Sequence, residues 1–154
     1  MTNNYFKEMI RLADSIADQA HSGQTDKIGR PYITHPRRVA FAVRKLAPEN
    51  MRVEAQIVAL LHDTVEDTGV TLDYLARYFS VSIVDAVDAL TKRKGETLEQ
   101  SIARVRANEL ARLVKHADIA DNTDPERTAL LDEETRERLA KKYAKSLILL
   151  SLGE

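Results

Sequence analysis

The chain has 154 residues with 23 Lys and Arg against 24 Asp and Glu, so its net charge is near zero and it lacks the basic excess of a nucleic-acid binder. Apolar residues make up 44% and charged residues 31%, a globular balance that excludes a largely disordered chain. There is no cysteine, which removes disulfides, thiolate chemistry and cysteine-based zinc sites.

Taken in chain order, the pattern is helical throughout. Tyr5 to Ala20 places Phe6, Ile10, Ala13, Ile16, Ala17 and Ala20 at helical spacing, and Gly23 ends that helix. Gln24 to Thr34 reads as a loop. Pro36 sits in the first turn of a second helix whose face is Val39, Ala40, Val43 and Leu46, with Pro48 and Asn50 marking the next break. Val53 to Val65 is apolar nearly all round, which predicts a helix at the centre of a bundle. Thr71 and Tyr74 suggest a capped start for a helix containing Leu72, Leu75 and Phe79, and Val81 to Leu90 forms another. The charged run Lys92 to Glu96 is a solvated turn. Helices follow from Thr97 towards Ala107 and from Glu109 to Asp121, Pro125 interrupts, and Glu133 to Leu152 closes the chain before a capping Gly153. The stripe of the last helix is Leu139, Tyr143, Leu147 and Leu150. We therefore expect one all-α domain over residues 1–154, a bundle of about six to eight helices.

The stretch Met1 to Arg11 lacks a secretory h-region, and Leu147 to Leu150 is far too short to span a bilayer. A cytoplasmic protein without a membrane or nucleic-acid partner is expected. The apolar residues Ile148, Leu149, Leu150 and Leu152 exceed what one core face needs, so a homodimer contact is possible there.

Three segments break the apolar pattern, as functional sites do. His62, Asp63, Glu66 and Asp67 put four ionisable groups at the end of the most apolar helix, three of them acids at the unfavourable end of its dipole. A bound cation resolves that cost; a solvated acidic helix end is an equal alternative on the local sequence. His35 precedes a helix and by itself reads as a cap or a surface residue. Lys115, Asp118 and Asn122 share one helical face, which alone reads as an i, i+3 ion pair. Together, His35, His62, Asp63 and Asp118 make a set of two imidazoles and two carboxylates suited to Mn, Fe, Co, Ni or Zn. His21 is assigned a structural hydrogen bond and His116 a surface position.

The combination of His35-Pro36, LLHDTVEDT over Leu60 to Thr68, and Lys115-x-Ala117-Asp118 with Asn122 resembles the HD-domain superfamily. With AHSGQTDKIGRPYITHP over Ala20 to Pro36, it is similar in particular to RelA/SpoT-type hydrolase domains and small alarmone hydrolases. The resemblance runs from about residue 5 to 125. It implies a manganese-dependent removal of pyrophosphate from the 3′ position of guanosine tetra- or pentaphosphate. His35, His62, Asp63 and Asp118 would bind the metal, and Glu66 and Asp67 would position and deprotonate water. Lys27, Tyr32, Lys115 and Asn122 would contact the nucleotide. Asp26 and Ile119 stand where the family usually has arginines, and TDPER after Asn122 also departs from its pattern. Another nucleotide (a nucleoside monophosphate, an adenine alarmone or a 2′-phosphorylated dinucleotide) is thus a second reading, and a non-catalytic nucleotide sensor a third.

Overall fold

A computed structural model describes residues 2–153. Among them are ten α-helical segments: α1 (Thr2–Ala20), α2 (Thr34–Leu46), α3 (Arg52–Leu61), α4 (Thr64–Asp67), α5 (Leu72–Ala76), α6 (Val81–Leu90), α7 (Leu98–Arg106), α8 (Glu109–Asn122), α9 (Pro125–Thr128) and α10 (Glu133–Leu150). Two of these, α4 and α9, are four-residue turns, so the longer helices number eight, at the upper end of the expected range. No strand occurs among the described residues, and the isolated bridge between Thr25 and Pro31 only closes the loop before α2. No described helix is long and apolar enough to cross a membrane.

The helix starts follow from local chemistry. Ser80, Thr97, Asn108 and Asp132 each accept a hydrogen bond from a first-turn backbone N–H of α6, α7, α8 and α10, and Thr97 with Gln100 completes a capping box. Pro125, read as an interruption, instead opens the single turn α9 at N1 under an Asp124 cap. The last helix ends at Leu150 with Ser151 at its C-cap, so Gly153, expected as the cap, instead lies two residues further on, in the left-handed region at φ +86°.

The all-round apolar helix lies where its sequence demands. Ala55, Ile57, Val58, Ala59, Leu60 and Leu61 of α3 are all buried, and α3 packs against α1, α2, α6 and α8. Burying its Ile, Val and Leu side chains contributes roughly 1.5–3 kcal/mol each. Ile57→Ala is accordingly expected to lower unfolding stability by about 2–5 kcal/mol, read as a fall in the denaturant midpoint at constant slope. A loss below ~1 kcal/mol would mean the packing around α3 is loose.

Several further expectations are corrected: Leu46, placed on the α2 face with Val39, Ala40 and Val43, is 51% exposed, and Phe6, placed on the α1 stripe, is 40% exposed. The helix read as Val53 to Val65 stops at Leu61, and His62 and Asp63 form a bend before α4. Apolar periodicity runs on through Val65, so the pattern does not register the bend. In α10, Leu139 and Leu150 are buried but Leu147 is 40% exposed, so the inward stripe is narrower than its apolar spacing suggests. Ile148 and Leu152 are exposed as well, whereas Leu150 belongs to the core.

Candidate metal centre

The bend after α3 has a direct geometric use. On a continuous helix, adjacent side chains diverge by about 100°. Here the His62 and Asp63 side chains meet, with His62 Nε2 3.1 Å from Asp63 Oδ2. His35, on the second residue of α2, brings its Nε2 to 2.9 Å from Asp118 Oδ1 and 3.8 Å from Asp63 Oδ2. Asp118 comes from the inner face of α8 and lies 3.4 Å from His62 Nε2. One donor atom each from His35, His62 and Asp118 fits within a 4.8 Å cluster, all three residues buried. Asp63 stands beside them, its Oδ2 accepting a 2.5 Å hydrogen bond from the Tyr32 hydroxyl.

Both imidazoles are held from behind. His62 Nδ1 lies 2.5 Å from the Ala59 carbonyl, and His35 Nδ1 lies 2.7 Å from Asp121 Oδ2. With Nδ1 as the donor in each, both Nε2 atoms face the cluster, where His35 Nε2 donates to Asp118 Oδ1 at 2.9 Å and a bound cation would instead take the lone pairs, as in metal-ligating histidines. His62 Nε2 is fully buried and, though near two carboxylates, is aligned with neither for a hydrogen bond. An orphaned buried nitrogen facing two acids and a second imidazole fits a divalent cation.

The electrostatics agree. Burial pulls the His62 pKa down, but Asp63 and Asp118 outweigh it and hold it well above the ordinary histidine value. Burial likewise raises Asp118, yet Lys115 and the two histidines leave it far below the usual carboxylate range. Asp63 is lowered in the same way, mainly by His62. The acids thus favour positive charge at the imidazoles, which a divalent ion would supply on displacing their protons.

The cluster opens into a cavity of about 430 Å³, which also takes in Lys27, Glu66, Asp67, Lys115 and Asn122. Lys115 Nζ and Asn122 Nδ2 donate to Asp118 at 3.2 and 3.0 Å, so the three share a face as their spacing requires. Asp67 is raised by burial and then by the charges of Asp63 and Glu66. Glu66 is tied differently: its Oε1 accepts the Lys92 backbone N–H at 2.6 Å, fastening the charged turn to the site. That turn is as solvated as expected at Lys92, Arg93 and Lys94, while Glu96 pairs with Arg104. His21 Nδ1 meets Gln24 Oε1 at 2.8 Å, and His116 is half-buried on α8 rather than on the surface.

Of the three departures from the family pattern, the two at arginine positions separate. Ile119 is 1% exposed and packs in the core, away from the cavity. Asp26 lines the cavity, but its Oδ1 accepts the backbone N–H groups of Ile28 and Arg30 and closes its own loop.

Sequence reasoning missed Asp121, one turn beyond Asp118, which accepts from Arg38 and Arg127 as well as facing His35. Its spacing from Asp118 was the available signal. It also missed the cavity wall from α10, including Lys142 and Tyr143, for which no local signal exists.

A family model described as "HD domain" matches residues 13–145. The chain belongs to the HD domain family. Among curated relatives, this HD domain is 35% identical over 147 residues to a "Probable GTP pyrophosphokinase" of Mycobacterium leprae, covering 86% of this chain and 18% of that protein. It is 33% identical over 142 residues to a "Guanosine-3′,5′-bis(diphosphate) 3′-pyrophosphohydrolase" of Aquifex aeolicus, covering 87% of this chain and 20% of that one. The chain thus spans a fifth or less of the length of these relatives. A solved structure described as "A metazoan ortholog of SpoT hydrolyzes ppGpp and plays a role in starvation responses" superposes with a TM-score of 0.76 at 22% identity, covering 94% of this chain and 86% of that chain. That likeness establishes the helical fold.

Proposed function

We propose that this HD domain is a metal-dependent phosphohydrolase that removes pyrophosphate from the 3′ position of (p)ppGpp-type nucleotides. The observation that carries the reading is the buried His62 Nε2, unpaired beside His35, Asp63 and Asp118 at the floor of a cavity that also holds Asp67. The pyrophosphohydrolase relatives supply the substrate class.

His35, His62, Asp63 and Asp118 would hold one divalent ion, manganese first, with iron, cobalt, nickel or zinc sharing the donor chemistry. When bound, the ion supplies charge to the phosphoryl oxygens and lowers the pKa of water beside it. Asp67 takes the proton of the attacking water, and Glu66, anchored through Lys92, positions that water. The water oxygen bonds to the phosphorus joined to O3′, the P–O3′ bond breaks, pyrophosphate leaves and O3′ gains a proton. Lys27, Lys115 and Asn122 bind phosphate or ribose, and Tyr32 holds Asp63. Asp121 positions His35. Asp121→Ala is therefore expected to weaken manganese binding ~10–100-fold by calorimetric titration, and an unchanged affinity would remove that assignment.

The test of function is a nucleotide panel with manganese, read for pyrophosphate and phosphate. Pyrophosphate from guanosine tetraphosphate is the expected product. Asp26 favours a second reading, in which another nucleotide is the substrate, because an acid repels phosphate and cannot stack as a guanidinium does. Turnover confined to other nucleotides would establish that reading, and binding without turnover under every metal would make the chain a sensor.

A further inference from the structure

Glu66 is exposed, and a solvated glutamate samples many rotamers unless something holds it. Its holder is the Lys92 backbone N–H, 2.6 Å from Oε1 and closer than in an ordinary N–H···O bond. That donor lies in an exposed turn, Lys92 to Gly95, so it fixes Glu66 only if the turn is itself fixed.

Arg104 supplies that rigidity. Its guanidinium reaches out of α7, where Ser101, Ile102 and Val105 are buried, and ties down both ends of the turn. Nη2 donates to the Thr91 carbonyl at 2.7 Å, and Nη1 and Nη2 both donate to the Glu96 carboxylate. Glu96 in turn accepts the Arg93 backbone N–H at 2.8 Å. The Thr91 carbonyl and the Lys92 N–H belong to one peptide group. A cation at the oxygen of that peptide draws electrons from its nitrogen, which makes the N–H a stronger donor to the carboxylate on its other side. Two consecutive hydrogen bonds thus join Arg104 to Glu66. The Arg104 Nε is buried and has no hydrogen-bond partner among the described residues, so the side chain's placement answers to the turn and not to its own full satisfaction. A further tie across the turn, Arg93 to Asp88 at 3.0 Å, joins two exposed side chains and touches neither atom of that peptide.

We propose that Arg104 is a positioning residue for hydrolysis: acting through the Thr91–Lys92 peptide, it holds Glu66 in the orientation that places the attacking water. Arg104 is not among the residues lining the cavity, so its effect on turnover passes through Glu66. The inference rests on the hydrolase reading of that cavity.

The test is a double-mutant cycle with a second readout that needs no turnover. Wild type, Arg104→Met, Glu66→Gln, the double variant and the control Asp88→Asn are compared by steady-state rates on guanosine tetraphosphate with manganese. Hydrogen exchange at the Lys92 amide is followed by NMR in chelator. Arg104→Met should lower kcat ~10-fold with KM and bound manganese within about two-fold, and the Lys92 amide should exchange about 10-fold faster. In the Glu66→Gln background the same change should cost less than about two-fold, because the group it serves is already disabled. Asp88→Asn should change neither readout. Additive losses in the double variant, or a raised KM at constant kcat, overturn the proposal while leaving hydrolysis in place. Should Arg104→Met fail to fold, Arg104→Lys carries the same cycle: it keeps the charge without the fork, and a loss of roughly 3-fold that vanishes beside Glu66→Gln is expected. If wild type releases no pyrophosphate, the hydrolase reading fails and the Lys92 amide alone decides the link, which an exchange rate unmoved by Arg104→Met overturns.

Discussion

Asp63→Asn is expected to abolish stoichiometric manganese binding and to cut pyrophosphate release by ~10³-fold or more, while the fold persists. The amide keeps the shape of the carboxylate and still offers an oxygen to the Tyr32 hydroxyl, so the local packing has no reason to collapse. What disappears is one of the two negative charges that face His62, and metal-derived stabilisation of several kcal/mol goes with it, each 1.4 kcal/mol being a factor of ten. The fold is checked by the unfolding temperature in chelator. There the like-charge pressure between Asp63 and Asp118 is relieved, which offsets the lost attraction to His62. Elemental analysis and a pyrophosphate assay supply the other readouts. Retained manganese with retained turnover would exclude Asp63 from the centre.

Asp67→Asn gives the complementary result: metal retained, turnover reduced ~10²–10⁴-fold, the range for losing general acid–base help. Asp67 sits in the cavity with both carboxylate oxygens free of side-chain or backbone donors among the described residues, unlike Glu66 with its Lys92 bond. Glu66→Gln should therefore also keep the metal but act partly through the loosened turn, with a loss of about 10²-fold. Full activity in Asp67→Asn would transfer the proton-handling role elsewhere.

The residues of the proposed site were legible because the acids and histidines stand out against apolar sequence. His62 and Asp63 follow six buried residues, and Lys115, Asp118 and Asn122 sit on one face by spacing alone. Helix boundaries were legible where caps act locally: α6 runs from Val81 to Leu90 as the sequence predicts. The bend at His62 was not, because hydropathy is blind to a change of direction between apolar residues. Asp121 looked like a solvated helix residue until α2 brought His35 and Arg38 against it from more than eighty positions away. Lys142 and Tyr143 belong to a helix whose contribution depends wholly on where α7 and α8 dock it.

The loop before α2 carries a lesson about how its chemistry could change. Asp26 serves two amides of its own loop, and the Thr25–Pro31 bridge spans the same turn. Installing arginine at 26 would forfeit both bonds, roughly 0.5–1.5 kcal/mol apiece, before any base was gripped. Any change of nucleotide preference made through position 26 would start from that loss, which a companion change closing the loop by other means would offset.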